Sequence, residues 1–214
     1  MSSTLAFFEN HGGLSIDEFL GRLRPPAIDL ATHDRIVGTL PRHRDITPDA
    51  RARAKLSLAE DVLAYHGRRG LISFTIIDVD PAFVGFHARA VILVSASALS
   101  VVDREEFAAI VAHELGHEYV WVDYERARQD GNHARIRELE LRCDGIAVLT
   151  LRRLGLNPQR LISGLESLTW YNQEHLFATD GRDYASRDER RAFVRAVEKL
   201  HWADRDSSQL AGRR

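Results

Sequence analysis

The residues most capable of chemistry in this chain are those of the string HELGH, at positions 113–117. Residues four positions apart on an α-helix lie on the same face, so the imidazoles of His113 and His117 can converge on one metal ion. Glu114 lies about 100° around the helix from His113, where it can reach a water molecule at the ion without ligating the metal. The spacing therefore predicts a metal site with a carboxylate base beside it.

The segment before this motif, EEFAAIVA, has the apolar face of a half-buried helix. The motif would then lie on a rigid element, as a metal site requires. The alternative is that His113 and His117 are ordinary core or surface histidines. A buried pair of imidazoles would need polar partners that this apolar flank does not offer, so we favour the metal site.

A catalytic zinc ion needs a third protein ligand and an open coordination position. Glu140 follows His117 by 23 residues, and Asp144 lies four residues later on the same helical face. Zinc histidines commonly donate their second ring N–H to a carboxylate, so we predict Glu140 as the ligand and Asp144 as the residue that orients one imidazole. Glu138 is the alternative ligand, although it lies about 200° from Glu140 on the helix. A solvated charged stripe is the alternative for the whole pattern.

Capping and turn residues indicate the elements that position these side chains. Two runs rich in β-branched residues, LISFTIIDVD and AVILVS (Ala90–Ser95), predict strands of a small sheet. The order is helices, sheet, helices, which predicts a mostly helical α+β fold. The first predicted helix is short; Ser15 and Glu18 open it and it ends before Pro25-Pro26, and Leu40–Asp45 is a connection. The later helices are predicted at Thr47 to His66, Asp103 to about Arg128, Asn132 to about Leu154, from Asn157-Pro158 onwards, and at Arg187 to Trp202.

Composition limits the classes of function. The chain has 214 residues, with 29 Lys and Arg against 31 Asp and Glu. This length suits one compact domain, expected at 47–205 after a helical segment at 1–46 and before a frayed tail at 206–214. The balanced charge argues against nucleic acid as a partner. The single cysteine and the absence of a signal-peptide pattern predict a cytoplasmic protein, and the most apolar stretch, Val91–Val102, is too short to cross a bilayer.

HELGH after DREEFAAIVA, followed by ELRCD, resembles the gluzincin metallopeptidases of the family that holds HtpX and the CAAX prenyl proteases (family M forty-eight). The likeness runs from about Asp80 to Leu200 and includes the strings VILVSASAL and GLNP. It implies a zincin-like fold and a zinc-dependent endopeptidase acting on a peptide or protein substrate. By this resemblance His113, His117 and Glu140 are ligands of one zinc ion and Glu114 is the general base.

The chain departs from that family at two places. Cys143 stands where the family prefers alanine, and we interpret it as a small buried hydrophobic residue. The late family motif with a histidine and an arginine is replaced by YASRDER, which has Tyr184 at the histidine position and keeps Arg190. Tyr184 is therefore a candidate donor to an oxyanion, and a surface tyrosine is the alternative.

Two other functions stay open at this point. The ImmA/IrrE type of cytosolic metallopeptidase also uses HExxH and a downstream glutamate, although the GLNP connection and the helix from Leu161 to Gln173 favour the first family. A zinc-binding scaffold without activity is the second. Substrate is expected to pair with the strand Ala90–Ser95. The remaining histidines, at 11, 33, 43, 66, 87, 133, 175 and 201, have no paired spacing and are expected at surface or capping positions.

Overall fold

The computed structural model describes residues 2–41, 46–177 and 183–203, and this part of the chain forms nine α-helices and three strands. The predicted α+β class, mostly helical with a small sheet, is confirmed. In chain order the elements are α1 (Ser2–Glu9), α2 (Ile16–Leu23), α3 (Leu30–Thr39), α4 (Ala50–Tyr65), β1 (Ser73–Ile77), β2 (Val84–His87), β3 (Val91–Ser95), α5 (Ala96–Val101), α6 (Arg104–Gln129), α7 (His133–Arg153), α8 (Arg160–Glu174) and α9 (Arg187–Glu198).

The helices that matter most for the site begin where their caps predict. Asp103 accepts a hydrogen bond from the backbone N–H of Glu106, and the Glu106 side chain accepts from the N–H of Asp103, which completes a capping box at α6. Asn132 caps α7 through the N–H of Arg135. Ser15 and Glu18 form the same box at α2. These local interactions fix the start of each helix and hence the direction in which its later side chains point.

Several predicted boundaries were wrong by a few residues. Asp49, and not Thr47, caps α4, because its carboxylate accepts from the N–H of Ala52 at 2.7 Å. Helix α8 begins at Arg160, after Asn157 has used its side chain to bond the N–H of Gln159. Helix α9 ends at Glu198, four residues before Trp202, whose ring packs against His11 and Phe19. A connection was predicted at residues 40–45. Residues 42–45 of it, including His43, lie outside the described part of the chain.

The sheet has three strands in the order β1-β3-β2, with β1 parallel and β2 antiparallel to β3. Strand β2 was not predicted, because it has four residues and includes Gly85. As a consequence β3 is the central strand, with neighbours on both edges. The expectation that substrate pairs with β3 is therefore wrong, since its backbone groups are already bonded on both sides.

Helices α6 and α7 pack closely at Gly116. A Cβ atom built on Gly116 would lie 2.6 Å from the Cα and 2.8 Å from the Cβ of Cys143, so only glycine fits at this crossing. Cys143 is fully buried there, as predicted for a small hydrophobic residue. On the other side of α7, Gly145 accommodates the ring of Phe8 from α1.

Among the described helices, none is both long enough and apolar enough to cross a membrane.

His66 was expected at a surface or capping position. Its backbone does occupy the C-cap position of α4, but its side chain is buried in the core. Its imidazole Nδ1 lies 2.7 Å from the hydroxyl of Tyr119, and Nε2 lies 2.9 Å from that of Thr150. Thr150 donates to the carbonyl of Ile146, so its oxygen accepts from Nε2–H, and Nδ1 accepts from Tyr119. The network therefore holds His66 neutral.

Acid should destabilise the protein through His66. Burial, followed by the charges of Arg24 and Arg68, lowers the pKa of His66 from 6.5 to about 3. The unfolded chain therefore takes up a proton that the folded chain refuses, and this stabilising contribution is complete above pH 6.5 and is lost as the pH falls towards 3. The expected slope approaches about 1.4 kcal/mol per pH unit. Chemical denaturation of metal-free protein should show a shallower pH dependence for His66→Gln than for wild type, and equal slopes would contradict this role.

Candidate metal centre

Three side chains from consecutive turns of α6 form the centre of the site. The potential ligand atoms of His113, Glu114 and His117 all lie within 4.8 Å of one another. His113 and Glu114 are buried, and His117 is half-buried at the edge of the core. The N-terminal half of α6 is anchored in the core by Phe107, Ile110 and Leu115, which fixes the direction of this face. The group can therefore hold a metal ion.

Glu140 from α7 faces the two imidazoles. Its Oε2 lies 3.2 Å from Nε2 of His113, and its Oε1 lies 3.7 Å from Nε2 of His117. The carboxylate is buried, yet Oε2 makes no hydrogen bond of acceptable geometry. A buried acceptor without a donor is costly, and a cation between Oε2 and the imidazole nitrogens would satisfy it. The residues present therefore fit a metal ion held by two imidazoles and one carboxylate.

Asp144 orients His113, as expected from its position on α7. Its Oδ1 accepts from Nδ1–H of His113 at 2.9 Å. Arg190 of α9 binds the same carboxylate in a bidentate manner, with Nε 2.8 Å from Oδ2 and Nη2 donating to Oδ1. With Nδ1 committed to Asp144, Nε2 of His113 is turned towards Glu140 and is available to a metal.

The charges in the site are distributed unequally between the two histidines. Burial alone would lower the pKa of His113, but the hydrogen bond with Asp144 and the nearby Glu140 carboxylate raise it to about 10. Burial lowers the pKa of His117 to about 4, with Glu140 opposing this shift. Without a cation, therefore, a proton on His113 balances the buried carboxylates. A metal ion would take the place of that proton at Nε2.

The three buried carboxylates of the site are held in different states. Burial favours the protonated form of all three, but His113 and His117 lower the pKa of Glu140, and Arg190 and His113 lower that of Asp144. For Glu114 burial dominates, and its pKa is raised to about 7 despite the opposing charge of His113. Glu114 also contacts the backbone of Phe86 in β2. It is therefore the one of the three suited to exchange a proton near neutral pH.

Tyr184 lies at the rim of the site and is 48% exposed. Partial burial and the charges of Glu140 and Glu114 raise the pKa of its phenol, which places the ring near both carboxylates. Its hydroxyl has no hydrogen-bond partner among the described residues.

Glu138 and Cys143 do not take part in the candidate metal centre. The Glu138 side chain is 42% exposed and pairs with Arg135, so the alternative ligand points away from the imidazoles. Burial raises the pKa of the Cys143 thiol well above its ordinary value, and Cys143 packs against Gly116 at the crossing of α6 and α7.

Two residues of the site were not assigned a role from the sequence. Tyr124 donates from its hydroxyl to Oε1 of Glu140 at 2.9 Å, and its ring packs edge-on against His117 at 4.8 Å. Its position seven residues after His117, on the same face of α6, was the available signal. Arg190 was noted only as the end of the YASRDER string. Its contact with Asp144 depends on the packing of α9 against α7, which no local pattern reveals.

Comparison with known proteins adds nothing to these observations, since no protein-family model matches the chain and no curated protein shows significant similarity to it.

Removing the Glu140 carboxylate should weaken metal binding much more than removing Glu138. Glu140→Ala deletes one of the three proposed metal ligands. Loss of a residue that only hydrogen-bonds a ligand already costs about 10- to 100-fold in metal affinity, so we expect a loss of at least about 100-fold. Zinc affinity measured by competition with a chromophoric chelator tests this. Glu138→Ala is the matched control on the same helix and should bind zinc as wild type does. Equal affinities for the two variants would remove Glu140 from the site.

Gly116→Ala should both destabilise the fold and weaken metal binding. The added methyl group meets the backbone of Cys143, so α6 and α7 must separate, at a cost of about 1–3 kcal/mol in unfolding free energy. Separation also moves Glu140 away from the imidazoles. Gly21→Ala in α2, where a Cβ meets nothing within 4 Å, is the control and should be neutral or slightly stabilising. Denaturation and zinc titration of both variants measure the effect, and wild-type values for Gly116→Ala would contradict it.

Proposed function

We propose that this protein is a zinc-dependent endopeptidase with a zincin-like fold. The proposal rests on the different surroundings and pKa shifts of the buried carboxylates. Glu140 is ionised and faces His113 and His117, whereas Glu114 stands beside them with its pKa raised to about 7. A catalytic zinc site needs this combination of three fixed donors and a separate proton acceptor.

The donor set favours zinc among the common divalent ions. Two imidazole nitrogens and one carboxylate are typical of hydrolytic zinc sites, in which a fourth position stays open. His113, His117 and Glu140 would hold the ion. When bound, zinc supplies Lewis acidity towards the substrate carbonyl and lowers the pKa of water at the open position.

The protein's own residues would carry the proton transfers and the orientation. Glu114 accepts a proton from the attacking water and gives it to the leaving amine nitrogen. Asp144 and Arg190 keep His113 in the tautomer that presents Nε2 to the ion. Tyr184, with its hydroxyl unengaged, donates to the substrate carbonyl oxygen as negative charge develops there. The result is hydrolysis of a peptide bond.

Strand β2 is the proposed substrate-binding edge, in place of β3. The carbonyls of Phe83 and His87 accept from the N–H groups of Ser95 and Ala90, so the odd-numbered residues bond towards β3. In an antiparallel pair the alternate residues, Val84 and Phe86, then turn their backbone groups to the other edge. Phe86 contacts Glu114 on that side. An extended peptide pairing with this edge would pass the metal centre.

The proposal includes a peptide or protein substrate and a cytoplasmic location. The location is expected because a single cysteine suits a reducing compartment. The fully buried Cys143 needs no oxidised partner to be stable.

Glu114→Gln should abolish turnover while leaving the metal bound. The amide cannot accept the proton, so we expect kcat on a quenched peptide library to fall by at least about 100-fold. Zinc content and zinc affinity should stay near the wild-type values, since Glu114 is not one of the proposed donors. Glu105→Gln is the control and should remain active, because Glu105 is a partly exposed residue earlier on α6 that pairs with Arg160.

The same assay separates an enzyme from a zinc-binding scaffold. Wild-type protein should cleave peptides, lose activity with a chelator and regain it with added zinc. A zinc-loaded protein that cleaves no member of the library, or a Glu114→Gln variant with full activity, would contradict the proposal.

A further inference from the structure

A cleft of about 290 Å³ is lined by residues 118–123 of α6, in the turns that follow His117. Val122, which lines it, follows His113 by nine residues, a rotation of about 180° around the helix. The walls come from α1, α2, α6, α7 and the turn between β2 and β3. This volume is at the lower end of the range for small-molecule sites, about 300–1,000 Å³.

Two guanidinium groups in this cleft have unsatisfied donors. The Nε atoms of Arg89 and Arg142 are both buried, and neither has a hydrogen-bond partner. Arg142 lies over the ring of Phe7, with its Cζ 4.7 Å from the ring centroid, and makes no hydrogen bond to a described residue. Burial, followed by the charge of Arg135, lowers the pKa of Arg142, and the charges of Asp123 and Glu138 oppose this shift. Both arginines line one cleft, so one anion there could approach both guanidinium groups.

The carboxylates that line the cleft are already paired with other arginines. Glu118 is almost fully buried and binds Nε of Arg68 at 2.7 Å and Nη2 of Arg89 at 3.1 Å. Asp123 accepts from Nη2 of Arg135 at 3.2 Å. Neither carboxylate is hydrogen-bonded to Arg142. Of the two arginines that line the cleft, Arg89 is therefore paired with Glu118, and Arg142 is the one with no carboxylate hydrogen-bonded to it among the described residues.

The arginines are held in place by the backbone of the chain before α3. Arg68 donates to the carbonyl of Pro25 at 2.6 Å, and Arg89 donates to that of Pro26. Arg89 itself has a φ of 60°, a left-handed conformation that is unfavourable for a residue with a side chain. These contacts hold Arg89 in place before any ligand arrives, which reduces the entropic cost of binding at that residue.

The remaining walls are apolar. They include Phe7, Leu23, Pro25, Trp121 and Ile146. We propose that this cleft binds a small carboxylate carried on a flat apolar body, with the carboxylate on Arg142 and Arg89 and the body against Phe7 and Trp121. This proposal concerns binding only and does not depend on the metal centre.

Benzoate is the probe that tests the proposal. It is titrated into the whole metal-free chain, and binding is measured by calorimetry and by tryptophan fluorescence. We expect saturable binding with one site, and at least about tenfold weaker binding for Arg142→Met, because a charge-assisted pair is lost. Arg128→Gln is the matched control, since Arg128 is an exposed arginine on α6 outside the cleft and should leave the affinity unchanged. Benzyl alcohol, which keeps the ring and lacks the charge, should bind much more weakly.

A second variant keeps the test decisive if Arg142→Met fails to fold. Val122 is 69% exposed, so Val122→Glu does not disturb the core, and its carboxylate would compete with benzoate for the guanidinium groups. This variant should also lose benzoate binding. The proposal is overturned if wild type shows no saturable binding, if benzyl alcohol or inorganic phosphate binds as well as benzoate, or if Val122→Glu binds benzoate as wild type does. If this proposal is overturned, the separate proposal of peptide hydrolysis at the candidate metal centre is unaffected.

Discussion

The close approach of α6 and α7 at Gly116 is the constraint on which the candidate site depends. Glycine in the middle of a helix costs about 1 kcal/mol relative to alanine, yet here any side chain would collide with the backbone of Cys143. The contact brings Glu140 within 3.2 Å of His113 although the two residues lie on different helices. A small residue at 143 serves the same purpose from the other side. The distance between the two helix backbones therefore decides whether two imidazoles and a carboxylate can share one ion.

Given that geometry, the neighbours of each carboxylate determine its chemistry. Asp144 is neutralised by the bidentate Arg190 and therefore only orients His113. Glu140 lies opposite two imidazoles and receives the hydroxyl of Tyr124, which leaves one oxygen without a donor. For Glu114, burial outweighs the charge of His113 and the contact with the backbone of Phe86, and its pKa is raised to about 7. Three similar side chains thus acquire three different roles through packing, because a carboxylate shows its intrinsic pKa only in water.

Helical periodicity predicted the part of the site that lies within single helices. The spacing of His113 and His117 on α6, and that of Glu140 and Asp144 on α7, follows from 3.6 residues per turn, and the caps at Asp103 and Asn132 set the start of both helices. The role of Arg190 could not be predicted, since it depends on the contact between α9 and α7. For Tyr124 the sequence offered only its position on the face of α6 that carries His117, and not its bond to Glu140 on α7. The strand at Ala90–Ser95 was predicted correctly, but the expectation that substrate pairs with it was wrong for the same reason. A four-residue strand with a glycine carries little sequence signal, yet β2 turns β3 from an edge into the centre of the sheet.

The two faces of α6 are mechanically connected. Glu118 follows His117 directly, so their side chains leave the helix about 100° apart, and any rotation of α6 about its axis would move both. The buried pair between Glu118 and Arg68, with Arg68 also bound to the carbonyl of Pro25, opposes such a rotation. Breaking a buried ion pair leaves an uncompensated charge, which makes this restraint strong. The polar contacts behind α6 therefore hold His113 and His117 in the direction that Glu140 requires, and the segment before α3 contributes to the metal centre without touching it.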